Sequence, residues 1–202
     1  MIAVIKVCGI TNAEDAAAAI EAGATAIGFN FYERSPRYLD PECAARIDSR
    51  AGVRRVGVFV NEAPARVEEI ARIVRLDIAQ LQGDESAADY PERIAVWKAV
   101  RISKGLELSS FEDSPAEALL LDGPAGDLYG GSGKTFDWRL AAAVRKRIIL
   151  AGGLDASNVA AAIATAHPWG VDACSRLESA PGRKDHRKME AFLVAARAAF
   201  AS

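Results

Sequence analysis

Short apolar runs alternate with helix-patterned segments along this 202-residue chain, and that alternation most constrains what it can fold into. The runs are Val4–Val7, Ala26–Phe29, Val56–Val60, Ile78–Leu81, Trp97–Ile102, Ala118–Leu121, Ile148–Leu150 and Gly170–Ala173. The intervening segments place their polar residues on one helical face: Ala13–Ala22, Pro41–Arg50, Pro64–Val74, Leu106–Asp113, Trp138–Arg145, Ala156–Ala164 and His186–Ala199, with a weaker one at Ser86–Arg93. Most runs are apolar on consecutive residues, as parallel strands buried on both faces are. Such strand–helix units either close into a (β/α)8 barrel or open into a doubly wound sheet. An open sheet gathers its site at one switch point, whereas a barrel brings every strand end to one mouth. Here the polar, glycine-rich loops follow Val7, Leu121, Leu150 and Ala173, spread over the whole chain. The expected fold is therefore a compact (β/α)8 barrel, one domain over residues 1–202.

Composition narrows the partners. A net charge of −2 argues against a nucleic-acid polyanion, while leaving room for a small anion at a local basic site. No apolar stretch approaches the ~20 residues that span a bilayer, and the first residues lack the order of a signal peptide. Cys8, Cys43 and Cys174 are far apart and odd in number, which suits free thiols in a reducing cytoplasm. With His167 and His186 they form no metal-ligand spacing, so no metal is expected.

Several residues at the ends of runs carry chemical potential. Cys8 leaves the first run into Gly9, and Thr11 or Asn12 can cap the helix that begins near Ala13. A thiol beside helix amides is favoured as thiolate, although a lone cysteine is also commonly a small buried apolar residue. Asp122 closes the run Ala118–Leu121 and belongs at the mouth, either as a reacting carboxylate or as a loop cap. The loop behind it contains Gly131-Ser132-Gly133-Lys134-Thr135. A phosphate-binding P-loop requires glycine where Leu128 stands, and a dinucleotide fingerprint requires one where Phe136 stands, so a flexible active-site loop is the better reading. Gly152-Gly153 alone is a tight turn; together with Ser175 and Arg176 after the last run it makes a candidate phosphate site. Arg37, among Phe31, Tyr32 and Tyr38, suits an aromatic carboxylate or else lies in a surface loop. The basic stretch from Arg183-Lys184 to Arg187-Lys188 reads as solvated surface and a helix start.

Taken in order, Lys6-Val7-Cys8-Gly9-Ile10-Thr11, Ser35-Pro36-Arg37-Tyr38, Gly57-Val58-Phe59-Val60-Asn61, Gly130–Trp138, Ala151-Gly152-Gly153-Leu154 and Ser179–Asp185 resemble the phosphoribosylanthranilate isomerase family over essentially the whole chain. The resemblance implies a (β/α)8 barrel of tryptophan biosynthesis without a cofactor. Its reaction is the Amadori rearrangement of N-(5′-phosphoribosyl)anthranilate to 1-(2-carboxyphenylamino)-1-deoxyribulose 5-phosphate. By the same resemblance Asp122 is the general acid and Cys8 the general base. Arg37 would bind the anthranilate carboxylate, Gly152, Gly153 and Ser175 the phosphate, and Asp172 would orient substrate or Cys8.

Two positions depart from the family pattern. Cys174-Ser175-Arg176 replaces serine-serine-glycine, so Arg176 either contacts phosphate or points to solvent. Gln82 stands where the family commonly has histidine. An isomerase for a related aminoaldose would be expected to carry a carboxylate where Cys8 stands. A non-catalytic phosphosugar-binding barrel would have no reason to keep Cys8, Asp122 and Arg37 together. With no long exposed apolar stripe, a monomer is expected, with a homodimer as the alternative.

Overall fold

The computed structural model describes residues 3–103, 105–123, 135–142 and 144–202. Eight parallel strands close into a barrel in chain order: β1 (Val4–Val7), β2 (Ala26–Asn30), β3 (Arg54–Phe59), β4 (Ile78–Leu81), β5 (Ala95–Arg101), β6 (Ala118–Asp122), β7 (Ile148–Leu150) and β8 (Gly170–Ala173). The ring is completed where β1 pairs with β8, in register from Val4↔Gly170 to Val7↔Ala173. Every strand coincides with an expected apolar run, shifted at its ends where it is shifted at all.

Side chains alternate across a strand, and that period sorts them into two cores. Val4, Ala26, Val56, Ile78, Trp97, Ala118, Leu120 and Ile149 pack together inside the barrel. Their neighbours, among them Ile5, Val7, Ile27, Phe29, Leu119, Leu121 and Leu150, face the helices and join the larger outer core. Consecutive apolar residues are thus required because both faces are buried. Fully burying one such large side chain contributes ~1.5–3 kcal/mol.

The helices are α1 (Ala13–Glu21), α2 (Pro41–Ala45), α3 (Pro64–Val74), α4 (Arg139–Ala142), α5 (Val159–Ala166) and α6 (His186–Ala201). Asn12 caps α1 by accepting from the Asp15 amide at 2.8 Å, and Asp185 caps α6 in the same way. Several segments are shorter than expected, α4 among them at Arg139–Ala142 against an expected Trp138–Arg145. The Arg55 guanidinium takes the carbonyls of Ala44 (2.9 Å) and Ile47 (2.6 Å), and α2 ends at Ala45 instead of running to Arg50. After β4 only the single turn Ala87–Asp89 forms, because Pro91 forces Tyr90 into extended backbone at φ −79°, ψ 137°. After β5 there is a similar turn, Leu108–Phe111.

One element was not expected. Behind β8 the chain forms an antiparallel hairpin of β9 (Glu178–Ala180) and β10 (Arg183–Lys184). Gly182 turns it at φ 78°, a conformation that favours glycine. This corrects the reading of Lys184 as solvated: its side chain is fully buried, with Nζ donating to Glu178 Oε1 at 3.0 Å. Arg183, Arg187 and Lys188 are exposed, as expected.

The closing seam has little slack. A Cβ added to Gly170 would lie 2.5 Å from Val4 Cβ and 2.6 Å from the Val4 carbonyl oxygen. Gly170→Ala should therefore destabilise the protein by about 1–3 kcal/mol, read from the midpoint of urea unfolding. An unchanged midpoint would show that the seam yields.

Candidate active site

The last inward residues of the strands line a cavity of about 270 Å³ at the mouth of the barrel. Every residue singled out in the sequence reaches it: Cys8, Arg37, Asp122, Gly152, Gly153, Asp172, Ser175 and Arg176. Chain order explains the convergence, since each lies at the C-terminal end of a strand or in the loop after one, and strand ends share one rim.

Beneath Cys8 lies a charge that sequence reading did not assign to the site. Lys6, two residues earlier on the same face of β1, is 0 % exposed and donates through Nζ to Asp172 Oδ1 at 3.0 Å. Gly28 makes the room: a Cβ there would fall 2.9 Å from Lys6 Cε, 3.0 Å from Cys8 Sγ and 3.1 Å from Lys6 Nζ. Burial opposes the charge on Lys6, but Asp172 and Cys8 outweigh it and hold its pKa above the usual lysine value.

The groups around this ammonium are tuned in opposite directions. The neighbouring Cys174 thiol and the Lys6 ammonium hold the Cys8 thiol well below its usual range despite burial. Burial pushes Asp122 up to about 6; the Gly123 amide and Gln82 pull it down, while the Cys8 thiolate pushes it further up. Burial likewise pushes Asp172 up to about 7, against the pull of Lys6. One ammonium cannot offset a thiolate and two buried carboxylates, so the carboxyl groups hold protons up to a pH near 6 and 7 and a fraction of them stays protonated at neutral pH. A thiolate base and a carboxylic acid thereby coexist across one cavity.

Asp122 is steadied from β4. Gln82 Nε2 donates to Asp122 Oδ2 at 3.2 Å, and Gln80 Nε2 donates to Gln82 Oε1 at 2.7 Å. On the other side, Gly152 at φ 81° carries no Cβ where one would strike the Gly123 amide, so the Asp122 and Gly152 loops can touch.

Arg37 lines the cavity, but its guanidinium is already gripped. Nε and Nη2 donate to the two oxygens of Glu178 at 2.9 and 2.7 Å. Burial disfavours the Glu178 carboxylate, yet Arg37 and Lys184 hold its pKa below the usual range. Gly152 and Gly153 are both left-handed (φ 81° and 65°), turning backbone toward the cavity, and the Gly153 carbonyl accepts from Asn158 at 2.8 Å. Ser175 opens the single turn Ser175–Leu177. Arg176 extends from the rim to Asp155 at 3.0 Å as an exposed ion pair. The flexible-loop reading falls mostly on residues 124–134, outside the described residues.

Lys6, Glu178 and Lys184 were missed, and Gln82 was noted only as a departure from the family pattern, without its contact to Asp122. For Lys6 a signal existed, because a residue two before Cys8 must share its inward face. Glu178 and Lys184 depend on the hairpin, which no local pattern announces. Among the described residues no group of three or more His, Cys, Asp or Glu could hold a metal ion. No helix among them is long and apolar enough to cross a membrane.

Residues 5–195 match the family model described as N-(5'phosphoribosyl)anthranilate (PRA) isomerase. An N-(5'-phosphoribosyl)anthranilate isomerase of Solibacter usitatus is 66% identical over 196 residues, covering 97% of this chain and 98% of that one. The crystal structure of the Thermotoga maritima phosphoribosyl anthranilate isomerase superposes with a TM-score of 0.90 at 40% identity, covering 98% of this chain and 100% of that one. That organism's enzyme is described as dimeric. A further isomerase structure, in complex with reduced 1-(o-carboxyphenylamino)-1-deoxyribulose 5-phosphate, superposes with a TM-score of 0.85 at 38% identity, covering 98% and 100%.

The tuning of Asp122 has a stability signature. A carboxyl raised to about 6 binds its proton more tightly folded than unfolded. Its contribution is full below pH ~4 and is lost as pH rises through ~6. Asp122→Asn removes this penalty and should be more stable than wild type at pH 8, by up to about 3 kcal/mol, with the gap closing by pH 4. Urea unfolding at the two pH values measures it, and an Asn variant no more stable at pH 8 would contradict the raised pKa.

Proposed function

This chain belongs to the N-(5'-phosphoribosyl)anthranilate isomerase family, and from that premise we propose that it catalyses the family's Amadori rearrangement with Asp122 as general acid and Cys8 as general base. The observation that carries this reading is the placement of both groups, buried, on one cavity, where a carboxyl with its pKa raised to about 6 faces a thiol with its pKa lowered.

The chemistry uses both. Asp122 gives its proton to the furanose ring oxygen as the C1′–O bond breaks and the anthranilate nitrogen forms a protonated imine. Cys8 thiolate then takes the proton from C2′, and the released electron pair moves toward nitrogen to give the enolamine. Ketonisation removes the enol proton and places one on C1′, completing 1-(2-carboxyphenylamino)-1-deoxyribulose 5-phosphate. Passage of a proton from Cys8 to Asp122 through solvent restores both groups. Such acid–base assistance is worth ~10²–10⁴-fold per group.

The remaining residues bind and orient. Glu178 locks the plane of Arg37, leaving Nη1, which makes neither of those two bonds, for the anthranilate carboxylate. The left-handed pair Gly152-Gly153 and the turn at Ser175 offer backbone amides to the phosphate. Arg176, paired with Asp155, adds positive charge at the rim instead of a direct grip. Asp172 holds Lys6 beneath Cys8. The partner is this phosphosugar, met in the cytoplasm by one domain over residues 1–202. Among the described residues the exposed large apolar side chains Tyr38, Leu140 and Val194 belong to three different segments of the barrel's periphery, the loop after β2, α4 and α6, which supports a monomer. A solution mass of twice the chain's 21.4 kDa would replace that with a homodimer.

Following the loss of phosphoribosylanthranilate fluorescence tests the roles directly. Cys8→Ala and Asp122→Asn should each lower kcat by at least ~100-fold with the circular dichroism of wild type. Near-normal kcat in either variant would remove that residue from the mechanism.

A further inference from the structure

Beside Cys8 stands a second sulfur. Cys8 and Cys174 each follow the last register pair of the closing seam, Val7↔Ala173, and the Cys8 amide donates to the Ala173 carbonyl at 2.9 Å. The two side chains therefore leave the seam together on its inward face, and both line the cavity. Gly9, at φ 71°, provides the space: a Cβ there would come 2.9 Å from Cys174 Sγ.

The direction of the Cys174 hydrogen follows from its other neighbours. A thiol has a single hydrogen; Glu178 Oε1 stands 3.9 Å from Cys174 Sγ, and the Cys8 sulfur is its neighbour across the seam, on the same cavity wall. That oxygen already receives Arg37 Nε at 2.9 Å, Lys184 Nζ at 3.0 Å and the Gly182 amide at 3.4 Å. Two of these donors are cationic, and a weak thiol donor at longer range cannot displace them. Lys184 Nζ also lies 3.8 Å from Cys174 Sγ and, as an ammonium, can only donate to it. The sulfur's lone pair is thus turned to Lys184 and its hydrogen is left for Cys8.

We propose that Cys174 is a positioning residue that donates its thiol hydrogen to the Cys8 sulfur and so holds that sulfur ready to accept a proton from substrate. The proposal rests on the reading of Cys8 as the base and deepens it, tying the hairpin to the reacting atom. Cys8 is also faced by Lys6 on its own strand, Asp122 on β6, Asp172 on β8, Arg37 after β2 and Lys184 on β10, all kept in the test. A serine hydroxyl at residue 174 can make the same donation; alanine cannot.

The test follows alkylation of Cys8 by iodoacetamide, read at its own peptide by mass spectrometry, in full-length protein carrying Cys43→Ser to silence the exposed thiol. Cys174→Ala should slow alkylation at pH 6.5 about tenfold and move the midpoint of its pH profile upward. Cys174→Ser should restore both, and the acidic limb of kcat/KM should move with the alkylation midpoint. A midpoint unchanged in Cys174→Ala overturns the proposal. A midpoint that moves while the limb of kcat/KM stays fixed upholds the role of Cys174 and overturns Cys8 as the base.

Discussion

A lysine with no access to solvent stands at the seam where the first and last strands close the barrel, and the site is organised around its bond to Asp172. An isolated ammonium there would cost several kcal/mol, and removing one partner of such a pair costs about 3–5 kcal/mol. An apolar pair of similar volume would hold the seam as well or better. What it could not do is place one positive charge under Cys8 and against Asp172. That single charge divides the protons, favouring the thiolate at Cys8 and leaving Asp122 able to carry a proton.

The polar mouth can be tolerated because the rest of the barrel is apolar on both sides of the sheet. The inner cluster around Trp97 and the outer layer beneath the helices exclude water from the strands, and the buried strand charges away from the mouth are engaged, Arg55 with backbone carbonyls and Lys98 with Glu85. A second buried set, Arg37, Glu178 and Lys184, braces the hairpin against the same rim. It ties the long connection after β8 to Arg37, which lines the cavity. The raised carboxyl at Asp122 works against folding above pH ~6, as expected where a site is tuned for chemistry more than for stability.

The strands were legible in the sequence because burial on both faces leaves an unbroken apolar run. Cys8 and Asp122 were legible because each ends such a run, where the barrel must open. What escaped reading was non-local. Arg37 and Glu178 are 141 residues apart, and only the folded hairpin shows that the guanidinium is already engaged. Lys184 sits in a basic stretch that looks solvated until Glu178 is seen to enclose it. Helix α2 ends beside Arg55 of the next strand, whose guanidinium takes the Ala44 carbonyl within it and the Ile47 carbonyl just beyond it, a non-local contact that no helical propensity encodes.

The division of protons can be measured without substrate. In protein labelled with ¹³C at cysteine Cβ, the Cys8 resonance should stand at the thiolate position at pH 7 and move to the thiol position only on acidification. A Cys8 resonance that remains at the thiol position until pH ~8.5, the value for a free cysteine, would contradict a thiolate base held over Lys6.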